Sequence, residues 1–283
     1  MDNSLTLVIM AAGSGTRYEA PKQLETFGKH NLTIAEYNVL DAISAGFTNF
    51  IFVVQEQMAD IFHRRLANLF PSYCKFSLTY QRREKELCKY CSRTKPWGTG
   101  HAVLSAKSAI HGNFGLVNAD DLYGNNAISV LADFLKAANK NSPVFANVGY
   151  EMGDTLSENG TVSRGVMSTD GNGNLIEIVE NKNIAYGGKI CTEDGMKFNP
   201  DTLVSMNLWG FTVKIFPILE KQWAEFAKNI SNPTSDEFYL SSAVDAAAQN
   251  GECEVKVLKT SSKWRGITYP KDKIAMEKFF RND

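Results

Sequence analysis

Short apolar runs of strand length alternate with longer segments of helical spacing over the first half of the chain. Residues 5–10, 50–54, 76–80, 115–118 and 144–148 read as strands, and their apolar residues are continuous, which suits strands covered on both faces. Between the first two, Thr33 and Glu36 form a capping box ahead of Ile34, Tyr37, Leu40 and Ile43, and Gly46 supplies a stop. Further helices are predicted over 57–70, 100–110 and 125–139. This alternation predicts βαβ units and a parallel sheet.

After residue 150 the pattern changes. Segments 162–168 and 175–180 flank Asp170-Gly171-Asn172-Gly173, a turn sequence that calls for a β-hairpin and a mixed sheet. Residues 183–202 read as an exposed excursion, 203–211 as a strand, and 214–229 and 236–249 as helices. Thr234 and Glu237 form a second capping box ahead of the latter. A strand near 254–258 and a helix from about 272 complete the pattern. No Ser/Gly/Pro-rich linker and no repeat interrupts it, so the expectation is one domain over 1–283, with halves 1–150 and 151–283.

The 283 residues suffice to remove roughly 75% of the unfolded surface from water. With 30 Lys+Arg against 31 Asp+Glu, the chain has no global field that would recruit nucleic acid or an anionic membrane, so an anionic ligand must be met by a local site. No apolar run approaches a membrane span, and neither the basic nor the apolar region of a secretory signal opens the sequence. Five cysteines, an odd number, favour reduced thiols and a cytoplasmic setting. Cys88 and Cys91 form one CxxC, but a zinc site would need two more ligands, and His101 has no partner at metal-ligand spacing.

The first strand runs directly into Ala11-Ala12-Gly13-Ser14-Gly15-Thr16-Arg17, where tiny side chains let backbone N–H groups approach an anion. This is a phosphate or nucleotide loop. A dinucleotide fingerprint would want glycine at Tyr18, and a Walker loop would end in Gly-Lys-Ser/Thr, which is absent. Arg17 and then Pro21-Lys22 follow instead, placing two cations within ten residues of the loop.

The string Met10-Ala-Ala-Gly-Ser-Gly-Thr-Arg17, with Pro21-Lys22-Gln23, resembles the N-terminal signature of sugar-phosphate nucleotidyltransferases. The resemblance implies an α/β fold with a Rossmann-like, glycosyltransferase-A-type core: a mixed, mainly parallel sheet flanked by helices, with an inserted β-hairpin. It implies that Ala12, Gly13, Gly15, Thr16 and Arg17 hold the triphosphate and that Lys22 sits on the phosphates being exchanged. The first half would then bind nucleotide and the second sugar phosphate. Tyr80-Gln81 resembles the family's base-reading glutamine, and Trp97-Gly98-Thr99-Gly100-His101 its glycine-threonine turn, which would present a helix N-terminus to the nucleotide.

Further along, Asn118-Ala119-Asp120-Asp121 resembles the family's metal-binding Gly-Asp-Asn/Asp motif, with Asp120 as the Mg²⁺ ligand and Asp121 the lesser candidate. Ser163-Arg164-Gly165-Val166 resembles an (R)-Y-G-x segment, and Val179-Glu180-Asn181-Lys182 an E-K segment in which Glu180 meets sugar hydroxyls and Lys182, off by one in register, the acceptor phosphate. Asn207, in Met206-Asn207-Leu208-Trp209-Gly210-Phe211, would line the sugar pocket. Late in the chain Lys263 and Asp272 are candidates for a second catalytic lysine and a second metal carboxylate, and Asp272 after Pro270 equally suits a helix cap.

The implied reaction transfers NMP from an NTP to a sugar-1-phosphate, with Mg²⁺ as cofactor and pyrophosphate released. No nucleic-acid or membrane partner is implied, and a homo-oligomer is compatible with the sequence. Two alternatives share the same loop: a cytidylyltransferase acting on a non-sugar phosphate, and a non-catalytic nucleotide-binding regulatory protein. A glycosyltransferase of the same core has no need of Gly-Ser-Gly-Thr-Arg followed by Pro-Lys. Gln81 alone leaves the base open, since a carboxamide can reverse its donor and acceptor ends.

Overall fold

A computed structural model describes residues 4–13, 22–82, 93, 95–267, 269 and 271–281. In chain order these form β1 (Leu5–Met10), β2 (Thr26–Phe27), β3 (Leu32–Thr33), α1 (Ile34–Ala45), β4 (Phe47–Val54), α2 (Ala59–Leu66), β5 (Lys75–Tyr80), α3 (Thr99–Ser105), β6 (Phe114–Asn118), β7 (Asp121–Leu122), α4 (Asn125–Ala137) and β8 (Val144–Glu151). They continue with β9 (Val162–Thr169), β10 (Leu175–Tyr186), β11 (Ile190–Cys191), β12 (Lys197–Phe198), β13 (Leu203–Phe211), α5 (Ile215–Lys228), α6 (Leu240–Gln249), β14 (Glu254–Lys259), β15 (Arg265–Gly266) and α7 (Asp272–Arg281).

Among the described residues an eleven-stranded mixed sheet runs β12-β11-β10-β9-β13-β6-β1-β4-β5, with β8 beside β13 and β14 beside β8. The pairs β6-β1, β1-β4 and β4-β5 are parallel, as is β8-β14, which accounts for the helical crossovers between them. β13 is antiparallel to β6, β8 and β9. The hairpin β9-β10 therefore extends the main sheet, with Asp170 Oδ1 accepting N–H bonds from Asn172 and Asn174 across its turn.

Strand alternation separates two cores. Leu5, Leu7 and Ile9 face α1 and α4, whereas Val8 and Met10 face α3, α5 and α6. Leu7, Val8 and Ile9 are fully buried, each contributing about 1.5–3 kcal/mol of transfer free energy. A third cluster packs α7, through Met276 and Phe280, on Phe27, Ile34 and Leu122. Among the described residues no helix is long and apolar enough to cross a membrane.

The first capping box forms as the spacing predicts: Glu36 N–H donates to Thr33 Oγ1, Thr33 N–H donates to Glu36, and Gly46 ends α1 in the left-handed region at φ 98°. The second does not. α6 begins at Leu240 rather than 236, and Thr234 Oγ1 donates to Asn232 Oδ1 within the preceding loop. The excursion expected over 183–202 also carries more strand than its composition suggests. A register shift between Asn181 and Ile184, with Asn183 at φ 56°, lets β10 continue to Tyr186 and pair with β11, which pairs with β12.

Candidate active site

β1 and β6 lie side by side in parallel, so both discharge their following residues at one end of the sheet, where open α/β sheets place ligands. Beyond β1, Ala12 is buried and Gly13 exposed. Two carboxamides clamp their carbonyls: Gln55 Nε2 donates to Ala12 at 2.8 Å and Gln23 Nε2 to Gly13 at 2.7 Å. Gly15, Thr16 and Arg17, the rest of the expected triphosphate loop, lie outside the described residues, as does the side chain of Lys22, whose backbone opens a short 3-10 turn. Cys88 and Cys91 also lie outside them.

Beyond β6, Asp120 and Asp121 occupy a turn built from buried neighbours. Asn38, fully buried on α1, donates to the Asp121 carbonyl at 2.7 Å and accepts from Tyr123 N–H. The Tyr123 hydroxyl accepts from Asn118 N–H and donates to the Met206 carbonyl at 2.8 Å, strapping β6 to β13. Burial, helped by the Asp121 charge, pushes the Tyr123 phenol well above its ordinary range, so it keeps its proton. Asn118 Nδ2 donates to Asp121 Oδ2 at 2.7 Å.

A cavity of about 320 Å³ opens on this turn, and it brings together Asp120, Asp121, Gly165, Glu180 and Asn207 with Asn118, Ser163, Arg164, Ser205, Ser241 and Trp264. Four expected site residues from four separated stretches, Asp120, Gly165, Glu180 and Asn207, thus share one space. Gly165 is needed there because a Cβ would meet Ile178 Cγ2 at 2.9 Å and stand 3.6 Å from Glu180 Oε2. Asn207 sits at φ 60° where β13 breaks register between Ser205 and Trp209, and its Oδ1 accepts from Trp209 Nε1. Asparagine tolerates this left-handed conformation better than most residues. Burial raises the Glu180 pKa, while Arg164 and Lys182 oppose the shift. Lys182 itself is exposed and does not line the cavity.

Asp272 does not join Asp120. It lines an adjoining cavity of about 250 Å³, where Oδ1 accepts from Ser157 and Asn159 and Oδ2 accepts from Tyr269 N–H at the start of α7. These bonds tie the start of α7 to the 157–159 loop. Lys263 pairs with Asp154 at 2.9 Å beside the same cavity.

Gln81 lines a separate cavity of about 400 Å³ with Gln55, Glu56, Arg82, Lys95 and Trp97. Its Nε2 donates to the Gly98 carbonyl at 2.9 Å and lies 3.3 Å from His101 Nδ1. The carbonyl can only accept, so it fixes the amino end of the carboxamide inward. Gly98 and Thr99 have a use within the chain itself. A Cβ on Gly98, at φ 97°, would fall 2.6 Å from the Phe238 carbonyl oxygen. Gly100 N–H donates to that same carbonyl, and the Thr99 hydroxyl accepts from Leu240 N–H at 2.9 Å. The glycine-threonine turn is a docking surface for the start of α6, and the Gly100 N–H is engaged within the chain.

The residues that sequence reading passed over fall into two groups. Asn38 and Gln55 support the site from buried or distant positions and carry no local motif, and Tyr123, two residues beyond Asp121, acts through a buried hydroxyl bond to Met206 on another strand. Arg164 sat inside a recognised segment, and its charge in the place of an aromatic residue was the available signal.

The model of the Nucleotidyl transferase family matches residues 6–279. The chain is a member of that family. Among solved structures, this nucleotidyl transferase is similar to a UDP-glucose pyrophosphorylase complexed with UDP-glucose, at 17% identity over 98% of both chains with a TM-score of 0.62. It is also similar to a UDP-glucose pyrophosphorylase from Acinetobacter baumannii, at 18% identity over 98% of this chain and 93% of that one with a TM-score of 0.64. The inositol-1-phosphate CTP transferase from T. maritima matches at 14% identity over 98% and 96%, with a TM-score of 0.62. At these identities the likeness establishes the fold, which is that of glycosyltransferase-A-like nucleotidyltransferases. No curated protein matches the sequence.

Proposed function

We propose that this nucleotidyl transferase moves NMP from an NTP to a sugar-1-phosphate, releasing pyrophosphate. The observation that carries the reading is the meeting of Asp120, Gly165, Glu180 and Asn207 in one polar cavity at the end of the sheet where the β1 loop emerges. UDP-glucose pyrophosphorylases and an inositol phosphate CTP transferase share the fold, which supports a phosphorylated polyol as acceptor. The cavity's lining agrees. Carboxylates, asparagines and serines pair with hydroxyl groups, whereas a quaternary ammonium acceptor would call for an aromatic cage, and Trp264 is the aromatic residue lining the cavity among the described residues.

The acceptor's own phosphate oxygen attacks the α-phosphorus, so the enzyme supplies position and charge rather than a nucleophile. Two dianionic groups about 5 Å apart repel by about 13 kcal/mol at an effective dielectric near 20. Arg17 and Lys22 oppose that repulsion from the loop side, and Glu180 and Asn207 orient the acceptor ring. Gln81, held by Gly98, presents its carbonyl oxygen to the base. Gly13, Gly15 and Thr16 cradle the phosphates.

Mg²⁺ fits the donor set. Asp120 and Asp121 offer hard carboxylate oxygens, and an ion that keeps waters and substrate phosphates takes only one or two of them. Among the described residues no group of three His, Cys, Asp or Glu forms a cage without substrate. Asp120 would hold the ion, which supplies charge neutralisation at the phosphates when bound.

The test is pyrophosphate release with each of four NTPs crossed against sugar-1-phosphates and alcohol phosphates, with and without Mg²⁺. Release that requires one sugar-1-phosphate is the expected result. Tight NTP binding with no release from any pair would instead favour a regulatory nucleotide-binding protein.

A further inference from the structure

Arg164 is the cation lining the acceptor cavity among the described residues, and it is 7% exposed. Its Nε donates to Thr155 Oγ1 at 3.1 Å, Nη1 to the Ser163 carbonyl at 2.8 Å, and Nη2 to the Thr155 carbonyl. The guanidinium carbon lies 5.0 Å from the centre of the Trp264 ring. A guanidinium carries five N–H donors. Three are engaged, and one on each terminal nitrogen takes no acceptor from the described residues. Asp121 and Glu180 act on the group through space, without an ion pair to either. Burial lowers its pKa to about 10, so it is charged at neutral pH.

A buried cation with unengaged donors is costly unless a ligand oxygen completes it. The chemistry of the cavity narrows that ligand. A carboxylate would suit Arg164 but would meet Asp120, Asp121 and Glu180, which outnumber it three to one, in addition to the acceptor's own phosphate. A hydroxyl suits the carboxylates and makes poor use of two donors. An amide has both ends: a carbonyl oxygen with two lone pairs for the terminal nitrogens, and an N–H for a carboxylate.

We infer that the acceptor is an acylamino sugar phosphate, and that Arg164 is the residue that selects it by taking the amide carbonyl. The inference rests on the sugar-phosphate reading of this cavity and narrows it to one substrate class. It also assigns a use to the position where the family pattern carries tyrosine, since a phenol offers one donor where the guanidinium offers a planar pair.

The test is isothermal titration calorimetry of the full chain with 2-acetamido-2-deoxyhexose 1-phosphates of gluco and galacto configuration, the parent hexose 1-phosphates, and the matching hexuronic acid 1-phosphates. The wild type should bind an acetamido compound at least tenfold tighter than its parent, and R164Q should bring that ratio near one. Should R164Q fail to fold, R164K keeps the charge, loses the planar pair, and should reduce the ratio to within about threefold. Equal binding of acetamido and parent compounds, preference for a uronate, or a preference that survives in R164K would overturn the inference. The ratio is read without turnover. Binding with the expected preference but no pyrophosphate release from any NTP would count against the proposed reaction and leave Arg164's role standing. Failure of every sugar phosphate to bind would remove both.

Discussion

Thr99→Val isolates what the glycine-threonine turn does. The hydroxyl of Thr99 accepts the N–H of Leu240 at 2.9 Å, and Leu240, the first residue of α6, is fully buried. Tyr239, at the N-cap, makes no side-chain cap of its own. Valine keeps the shape of threonine and removes the acceptor, leaving one buried donor without a partner. Losing a helix cap costs about 1–2 kcal/mol, which translates to a Tm lowered by about 2–4 °C in a chain of this size.

Kinetics separate this role from contact with nucleotide. Ser241, next to Leu240, lines the acceptor cavity, so loosening the start of α6 should raise the KM for acceptor severalfold and leave the KM for NTP within about twofold. A threonine that touched the triphosphate would give the reverse pattern. Thr99→Ser, which restores the acceptor oxygen, should recover most of the Tm. Differential scanning calorimetry and steady-state pyrophosphate release read both arms. A Thr99→Val protein as stable as wild type, or a Thr99→Ser protein no better than Thr99→Val, would refute the reasoning.

Asp120→Asn should lower turnover at least a hundredfold with an unchanged far-ultraviolet circular dichroism spectrum, because the residue lines the cavity rather than the core. Lys22→Ala should also lower turnover by orders of magnitude, and wild-type rates in either variant would remove that residue from the mechanism. Gly165→Ala should raise the acceptor KM at least tenfold, since its Cβ would press on Ile178 at 2.9 Å and shift the strand that carries Glu180; a KM within twofold would show that β9 yields there. Burial raises the Asp41 pKa from 3.8 to about 6, so the folded chain holds this proton more tightly than the unfolded one. Its contribution is therefore favourable below about pH 4 and is lost as pH rises through about 6. Asp41→Asn should raise Tm at pH 7 and flatten its change between pH 4 and 6, and a parallel Tm–pH curve would contradict that.

Local signals were legible where their partners are also local. β1 and β13 begin and end where the apolar runs do, and the Thr33–Glu36 box forms because both its members lie within one turn. The Thr234–Glu237 box has the same spacing and fails, because the chain at 97–100 docks on 238–240 and sets where α6 begins. No window on the sequence around residue 234 contains that competitor. One grouping of the expected site was legible as residues: Asp120, Gly165, Glu180 and Asn207 all reach one cavity. What was not legible is support at long range, such as Asn38 holding the Asp121–Tyr123 turn from 83 residues away, and burial, which gives Arg164 its significance.

The same contacts bear on how the two halves of the chain communicate. Gln81 lines one cavity and donates to Gly98; Thr99 caps α6; Ser241 on α6 lines the other cavity. Each link is a hydrogen bond to a backbone group, so the links constrain position without carrying charge between the sites. Such a path transmits an effect only if its middle has two arrangements that the two ligands favour differently. The Gly98–Gly100 turn is poorly suited to that. A Cβ at Gly98 would lie 2.6 Å from the Phe238 carbonyl oxygen and one at Gly100 2.6 Å from the Phe238 ring, contacts tight enough to leave little room for a second packing. The turn therefore acts as a rigid spacer between the cavity lined by Gln81 and the cavity lined by Asp120, and under the proposed function Thr99 affects acceptor binding through the placement of α6, independently of whether nucleotide is bound.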